Sequence, residues 1–180
     1  MSGESWVTDS EPYLRPVQAG QPDAWQQEAG RRGRSGGQRL IGVDEVAAPA
    51  SVAEKLRIAV GSPVVVRRRV VLLDDRPVEL TDSYYPLSIA GGTPLAEFRK
   101  IRGGAVSVLA GLGYVGRARH EDVTAREPAG EEREVLAIGA GEWVLDVCRV
   151  VLGDHDTPIE VTTMVMPARG RSLHYVAEIV

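Results

Sequence analysis

The segment VVVRRRVVLLDDRPVELTDSYYP, Val64–Pro86, predicts a β-hairpin. Two runs in which apolar and polar residues alternate flank the turn-forming residues Asp74, Asp75 and Pro77. The first run is rich in valine, as a buried strand is, but it also contains three consecutive arginines. The hairpin therefore predicts a sheet, and its arginines raise the question of what they face.

The arginines of this hairpin fall on different faces of the sheet. Side chains alternate along a strand, so Arg67 and Arg69 share one face and Arg68 lies on the other. A turn of three residues sets Arg69 opposite Thr81 and brings Glu79 to the same face. A turn of two residues instead turns Glu79 away from the arginines, and the sequence leaves both registers open.

The pattern around the hairpin recurs about 80 residues later in the chain. The segment Glu121–Pro167 repeats the segment Asp44–Pro86, and Pro158–Glu160 takes the place of Pro77–Glu79 after one extra residue in the second turn. Each copy predicts a strand, a short helix and a hairpin whose return strand carries the Pro-x-Glu motif.

Two such copies predict the α+β class, with an antiparallel sheet, short helices on one side of it and internal pseudo-symmetry. Equivalent placement of the two return strands leads to the hypothesis that Glu79 and Glu160 flank a shared cleft. The other elements predicted from periodicity and cap residues are a strand over 38–46, a helix over 49–58 with Ser51 able to cap it, a helix over 93–100 with Thr93 as its N-cap, and a helix over 103–113 closed by Gly113.

The composition indicates a soluble globular domain. The chain has 180 residues, of which 43% are hydrophobic and 26% charged, which is enough apolar material for one folded core. Its apolar runs are too short to span a bilayer and its N-terminus is not that of a secretory signal, so we expect a cytoplasmic protein. The net charge of -4 argues against a large nucleic-acid-binding face.

The first 37 residues differ in character from the rest. They are rich in Gly, Pro, Gln and charge, and they predict a linker or N-terminal arm, with the domain over 38–180. Apolar anchors within the arm could dock on the domain: Trp6, Tyr13, Leu14 and Trp25. The basic run Arg31–Arg34 is more typical of a solvated loop than of a nucleic-acid contact.

No catalytic, cofactor or metal signature is present in the sequence. The GxGxxG pattern Gly111–Gly116 is followed by a strand-like segment, so glycines that end a helix explain it better than a dinucleotide site does. His120, His155 and His174 lie far apart without metal-ligand spacing. The single cysteine, Cys148, lies in an apolar run and excludes an internal disulfide. We expect neither a metal nor a cofactor, and no enzymatic activity.

Two explanations remain for the arginine pair. Half of a sheet commonly faces water, and Arg67 and Arg69 would then be ordinary solvated residues. Alternatively, an Arg-x-Arg pair near Glu79 would suit a small ligand that bears a phosphate or carboxylate together with hydroxyl groups.

Several segments resemble the effector-binding (UTRA) domain of HutC-type GntR transcriptional regulators, whose core is similar to chorismate lyase. The resemblance covers about residues 40–180 in order and spacing. The matching segments are VAAPASVAEKL, the hairpin itself, TPLAEFRKIRGGAVSVLAGLGY, EDVTARE and VCRVVLGDHDTPIEVTTMVMP.

The resemblance implies a set of ligand-binding positions. Arg67 and Arg69 match arginines that hold a phosphate in sugar-phosphate sensors, and Glu79 and Glu160 match glutamates that meet sugar hydroxyls. The serine at the helix start of those sensors is replaced by Ala105, with Ser107 nearby; Tyr84 completes the candidate set. The aromatic-Arg-Gly element expected after the last strand is replaced by Met166-Pro-Ala-Arg-Gly170. These departures argue against a sugar phosphate and leave another anionic or polar effector open.

The resemblance also implies a function and partners. A homodimeric sensor would bind a small effector and modulate DNA binding by an N-terminal winged helix-turn-helix, which we do not recognise in this chain. The alternatives are a small enzyme of the chorismate lyase-like fold acting on an aromatic or sugar acid, and a pure dimerisation module.

Overall fold

The computed structural model describes residues 6–9, 21–101 and 103–176. The strands are β1 (Trp6–Asp9), β2 (Gly36–Ala47), β3 (Pro63–Leu73), β4 (Arg76–Pro86), β5 (Ala118–Arg126), β6 (Val144–Leu152), β7 (Pro158–Pro167) and β8 (Arg171–His174). The helices are α1 (Ala24–Arg31), α2 (Ala50–Leu56), α3 (Leu87–Ala90), α4 (Gly104–Gly111) and α5 (Gly130–Val135), with 3₁₀ turns at Pro94–Ala96 and Asp154–Asp156. The α+β class predicted from the sequence is confirmed.

The main sheet is antiparallel and internally symmetric. Its strand order is β2-β3-β4-β7-β6-β5, so each strand of the first copy has its counterpart at the mirrored place in the second. At the centre, Asp82 lies directly opposite Thr163, and these two residues are also counterparts in the repeat. A pseudo-two-fold axis therefore passes between β4 and β7, as the predicted internal pseudo-symmetry requires.

The first hairpin adopts the register that brings Glu79 to the arginine face, but it does so through a two-residue turn and a bulge, which the sequence did not predict. Its tight turn holds only Asp74 and Asp75, both with positive φ (49° and 62°), which is the geometry of hairpin turns matched to strand twist. A bulge beside Val71 then shifts the pairing, so that Val71 faces Glu79. The second hairpin repeats this bulge beside Val151, opposite Glu160.

Helices cover both faces of the sheet, which corrects the prediction that they lie on one side. Val52 and Leu56 of α2 pack on one face, against Val150 and Val161. Leu109 of α4 packs on the opposite face, in a core cluster with Ile89 of α3 and with Val65, Tyr85 and Val151 of the sheet. The second face is the one that carries Arg67 and Arg69.

Two helix predictions need local correction. Ser51 lies inside α2, whose N-cap is Pro49 and receives no side-chain hydrogen bond, so Ser51 does not cap it. The helix expected over 93–100 is only a 3₁₀ turn, although Thr93 caps it as predicted by accepting from the Leu95 amide. The helix expected over 103–113 is α4, and Gly113, with φ of 90°, follows its end.

Part of the N-terminal arm is docked on the domain. Trp25 of α1 is buried, and its indole Nε1 donates to the Leu72 carbonyl across 2.7 Å. The ring centroids of Trp6 and Trp25 lie 5.1 Å apart, and β1 pairs in parallel with β8. The other two predicted anchors, Tyr13 and Leu14, lie outside the described residues.

Among the described residues, none of the helices is both long enough and apolar enough to cross a membrane.

Candidate functional site

A row of polar side chains crosses the centre of the sheet on the face covered by α3 and α4. Arg69 Nη2 donates to Ser83 Oγ across 2.8 Å, and Ser83 Oγ lies 2.8 Å from Thr162 Oγ1. Thr162 Oγ1 in turn donates to Glu160 Oε1 across 2.6 Å. Since the single hydroxyl proton of Thr162 is used on Glu160, Ser83 must donate to Thr162. We call Arg69, Ser83, Thr162 and Glu160 the polar row.

The centre of the polar row is shielded from water, whereas Arg69 and Glu160 at its ends are half-buried. Ser83 is 1% exposed and Thr162 is 3% exposed, and Tyr85 beside them is fully buried. Burial raises the pKa of Tyr85, and the negative charge of Glu160 adds to that effect. The hydroxyls of Ser83 and Thr162 thus connect the charged side chains of Arg69 and Glu160. Hydrogen bonds between buried groups are stronger than those in water, because the local dielectric constant is low.

Ser83 and Thr162 are not among the site residues predicted from the sequence. A usable signal existed, because Thr81 and Thr162 occupy the same place in the two copies, each two residues after the glutamate of its Pro-x-Glu motif. In the structure both threonines donate to that glutamate, Thr81 to Glu79 across 2.7 Å and Thr162 to Glu160 across 2.6 Å. The repeat therefore conserves the motif as Pro-x-Glu-x-Thr.

Glu79 and Glu160 lie on the same face but at opposite ends of it. Asp82 and Thr163 mark the pseudo-two-fold axis, and each glutamate is three residues from it along antiparallel neighbouring strands. Six residues of extended chain separate the two backbone positions by about 20 Å. The structure therefore brings Glu160, and not Glu79, into hydrogen-bonded connection with Arg69.

Arg67 lies on the predicted face but has other partners than the predicted ones. It is 5% exposed, and burial lowers its pKa. Its guanidinium donates to backbone carbonyls of the segment that follows α3, those of Pro94, Leu95, Glu97 and Arg99. These bonds hold the segment over the sheet, and both terminal nitrogens of Arg67, Nη1 and Nη2, donate in them.

Arg69 retains an unused donor. Its Nη2 is bonded to Ser83, but its Nε is buried and has no hydrogen-bond partner among the described residues. A buried donor that is left unpaired costs about 1–3 kcal/mol, so an acceptor placed there would bind favourably.

The remaining candidate residues lie apart from the polar row or are engaged. Ala105 packs in the core cluster at the start of α4, and the Ser107 hydroxyl donates to the Gly103 carbonyl across 2.7 Å. Tyr84 lies on the opposite face, where it packs beside α2 and is hydrogen-bonded to Asp82. The structure thus separates Tyr84 from Arg69.

A metal centre finds no support in the described ranges 6–9, 21–101 and 103–176. Nowhere in them do three or more histidine, cysteine, aspartate or glutamate side chains come together in a way that could hold a metal ion.

Comparison with known proteins places this fold in context. The family model described as the UTRA domain matches residues 31–169. An uncharacterized HTH-type transcriptional regulator of Streptomyces coelicolor is 32% identical over 121 residues, which are 66% of this chain and 45% of that protein. The chain thus spans less than half the length of this curated relative.

Solved structures with similar folds include domains of transcriptional regulators. The effector domain of PhnF from Mycobacterium smegmatis has a TM-score of 0.73 and 21% identity, over 92% of this chain and 99% of that one. The C-terminal domain of the histidine utilization repressor from Pseudomonas syringae pv. tomato has a TM-score of 0.67 and 19% identity, over 80% of this chain and 99% of that one.

Proposed function

The chain belongs to the UTRA domain family, and we propose that it senses a small-molecule effector for a GntR/HutC-type transcriptional regulator. The observation that carries this proposal is the polar row, in which the half-buried Arg69 has a buried Nε without a partner among the described residues and is connected through two hydroxyls to a carboxylate. We assign the anionic group of the effector to Arg69 and its hydrogen-bond donors, such as hydroxyl groups, to Glu160. Arg67 supports the site by holding the covering segment.

The effector site includes fewer residues than the sequence predicts. Glu79 accepts from Thr81 about 20 Å along the sheet from Glu160, and it does not belong to the polar row. Ser107 bonds back to its own helix and Tyr84 faces the other side of the sheet. We therefore propose Arg69 and Glu160 as the contacts of the effector, with Ser83 and Thr162 linking them.

The proposed partners follow from family membership. The curated relative is an HTH-type regulator of which this chain spans 45%. We propose that a winged helix-turn-helix outside the present chain reads operator DNA in the cytoplasm, and that the sensor works as a homodimer. Effector binding would shift the dimer between states of different DNA affinity. The relatives named above are regulators or their domains, which does not favour the enzyme alternative.

The bulged end of the first hairpin is bonded to α1 and to β8, the strand that pairs with β1. Trp25 of α1 and Arg171 of β8 both donate to carbonyls at the bulged end of the first hairpin, those of Leu72 and Val78. In this proposal, movements of the hairpin on effector binding reach the arm through these bonds.

A thermal-shift screen tests the proposal. Wild-type protein is heated with phosphorylated sugars, amino-acid metabolites and organic acids, and an effector raises the unfolding midpoint by linkage. Arg69→Ala should lose that response. Arg68→Ala is the matched control, because Arg68 lies on the opposite face of the sheet. This variant should keep the effector-induced rise of the unfolding midpoint. Full effector response in Arg69→Ala would count against the assigned site.

A further inference from the structure

Helices α2 and α5 are counterparts in the two halves of the domain, and both lie on the face of the sheet opposite the polar row. Three residues of α2 are buried: Val52, Ala53 and Leu56. All six residues of α5 are described, and none of them is buried. The buried apolar residues at this end of the sheet include Leu136 and Ile138, which follow α5. The two helices are therefore attached to the sheet in different ways.

Helix α5 is attached by a triad of charged side chains. Arg126 on β5 donates to the two carboxylate oxygens of Glu132 on α5, through Nη1 and Nη2, each across 2.7 Å. Its Nε donates to Asp146 on β6 across 2.6 Å. We call Arg126, Glu132 and Asp146 the ionic triad. The ionic triad thus joins α5 to two strands of the sheet.

The equivalent positions in the first half of the domain are all valines. The strand pairings and the place of each residue in its helix identify them: Val46, Val52 and Val66. Val52 and Val66 are buried, and Val46 packs against the core cluster that contains Val52. The same three positions are therefore charged and paired in one half, and apolar and packed in the other.

The ionic triad attaches a helix less firmly than buried valines do. Burial of apolar side chains is favourable in proportion to the surface removed from water. The charged side chains of the ionic triad are 17–34% exposed, so water solvates them well when they separate. Replacing a paired ionic triad by well-packed apolar residues is accordingly often stabilising. We therefore expect α5 to leave the sheet at a lower free-energy cost than α2.

We propose that α5 and the residues after it up to Ile138 form a detachable cover, which the ionic triad holds on the sheet and which opens while the sheet stays folded. Opening uncovers an apolar part of the sheet formed by Leu80, Val144 and Val165. Elements that move in regulated proteins are those whose local opening costs little free energy. Helix α2 opens only when the whole domain unfolds. This device is independent of the effector site, which lies on the opposite face.

Native-state hydrogen exchange of the full 180-residue chain tests the proposal. The amides of Arg133 and Ile138, the cover reporters, are hydrogen-bonded in the same way as those of Ala53 and Ile58, the α2 reporters. The cover reporters should be protected at least about tenfold less, and low urea concentrations should change their exchange little, because a local opening exposes little surface. Exchange of the α2 reporters should accelerate with urea as that of the central strands does. Equal protection and equal urea dependence of the two sets would overturn the proposal.

A substitution in the ionic triad tests what holds the cover. Glu132→Gln removes one charge and should accelerate exchange of the cover reporters about tenfold, with urea dependence still weak. Lys55→Gln is the matched control, because it removes the surface ion pair between α2 and Asp122. It should change exchange of the α2 reporters by less than about threefold, since apolar contacts hold α2.

A variant that copies the first half into the second provides the sharper test. Arg126→Val, Glu132→Val and Asp146→Val together should slow exchange of the cover reporters by at least about tenfold, because apolar contact then replaces the ionic triad. Unchanged exchange of the cover reporters in Glu132→Gln, or in the folded triple variant, would show that the ionic triad does not hold α5. Should the triple variant fail to fold, the result for Glu132→Gln decides.

Discussion

Arg67 and Arg69 lie two residues apart on the same face of β3, yet Arg67 is bonded to backbone carbonyls of the covering segment while Arg69 is bonded to the centre of the sheet. Arg67 is buried and Arg69 is half-buried, but burial does not say what each guanidinium group contacts. The partners distinguish them. Arg67 satisfies carbonyls of a segment that forms only a short 3₁₀ turn, whereas the Arg69 Nε has no partner among the described residues.

We predict that Arg67→Ala is strongly destabilising. It removes the donor of four backbone carbonyls, one of them in a buried and three in partly buried hydrogen bonds, and the free energy of unfolding should fall by at least about 3 kcal/mol. Chemical denaturation measures the loss. Arg68→Ala is the control, because Arg68 is 36% exposed and pairs with Asp44 at the surface, so its loss should cost less than about 1 kcal/mol. Equal losses in the two variants would show that Arg67 does not hold the covering segment.

A second prediction concerns the docking of α1 on the sheet. A Cβ added at Gly36 would lie 2.9 Å from Trp25 Cδ1, 2.9 Å from the Trp25 carbonyl oxygen and 3.0 Å from Ala29 Cβ. Gly36→Ala should therefore push α1 from β2 and destabilise the protein by about 1–3 kcal/mol. Hydrogen exchange of the α1 amides and thermal unfolding report the effect.

The neighbouring glycine supplies the control for this prediction. A Cβ at Gly37 would meet only Leu72 side-chain atoms, at 3.7 and 3.9 Å, which is ordinary contact. Gly37→Ala should be neutral or slightly stabilising, since it reduces the freedom of the unfolded chain. Equal tolerance of both substitutions would mean that α1 does not pack where the structure has it.

The sequence predicted what depends on local pattern. The alternation of side chains along a strand placed Arg67 and Arg69 on one face, and the repeat of Pro-x-Glu predicted the symmetric sheet. Both patterns can be recognised within short segments of the sequence. The register of the first hairpin was narrowed to two alternatives, and the structure has one of them through a bulge at Val71 that no local pattern indicated.

What could not be predicted depends on contacts between distant segments. Arg67 donates to backbone carbonyls about 30 residues further along the chain. The sequence does not show which backbone carbonyls need a side-chain donor. Ser83 and Thr162 are unremarkable residue types whose importance arises only when β4 and β7 lie side by side. Helix α1 was not predicted, because the segment around it is rich in Gly, Pro and Gln.

A third prediction concerns acid stability in the second copy. Arg126 donates to both carboxylate oxygens of Glu132, each across 2.7 Å, and these bonds lower the pKa of Glu132. A lowered folded-state pKa contributes stability that is present above the unfolded-state pKa and is lost as the pH falls through the folded-state value. Wild type should thus exceed Glu132→Gln by about 1–2 kcal/mol at pH 7, and the gap should close between about pH 5 and pH 3.

Unfolding free energies of the two proteins across that pH range measure the gap. Glu131→Gln is the control, because Glu131 is the exposed neighbour of Glu132 in α5. It should not reproduce the pH-dependent difference. A constant gap between wild type and Glu132→Gln from pH 7 to pH 3 would contradict the proposed cause.

The last prediction tests whether the polar row acts as a unit. Ser83→Ala removes both the acceptor of Arg69 and the donor to Thr162, while Thr162→Val removes the link between Ser83 and Glu160. Because the two substitutions break the same chain of hydrogen bonds, their effects on the free energy of unfolding should not add, with a coupling of about 0.5–3 kcal/mol in a double-mutant cycle. Thr163→Val is the matched control, because Thr163 is the next residue of β7 but faces the other side of the sheet. Its cycle with Ser83→Ala should be additive within about 0.5 kcal/mol, and additivity in both cycles would show that the hydroxyls do not connect the arginine to the glutamate.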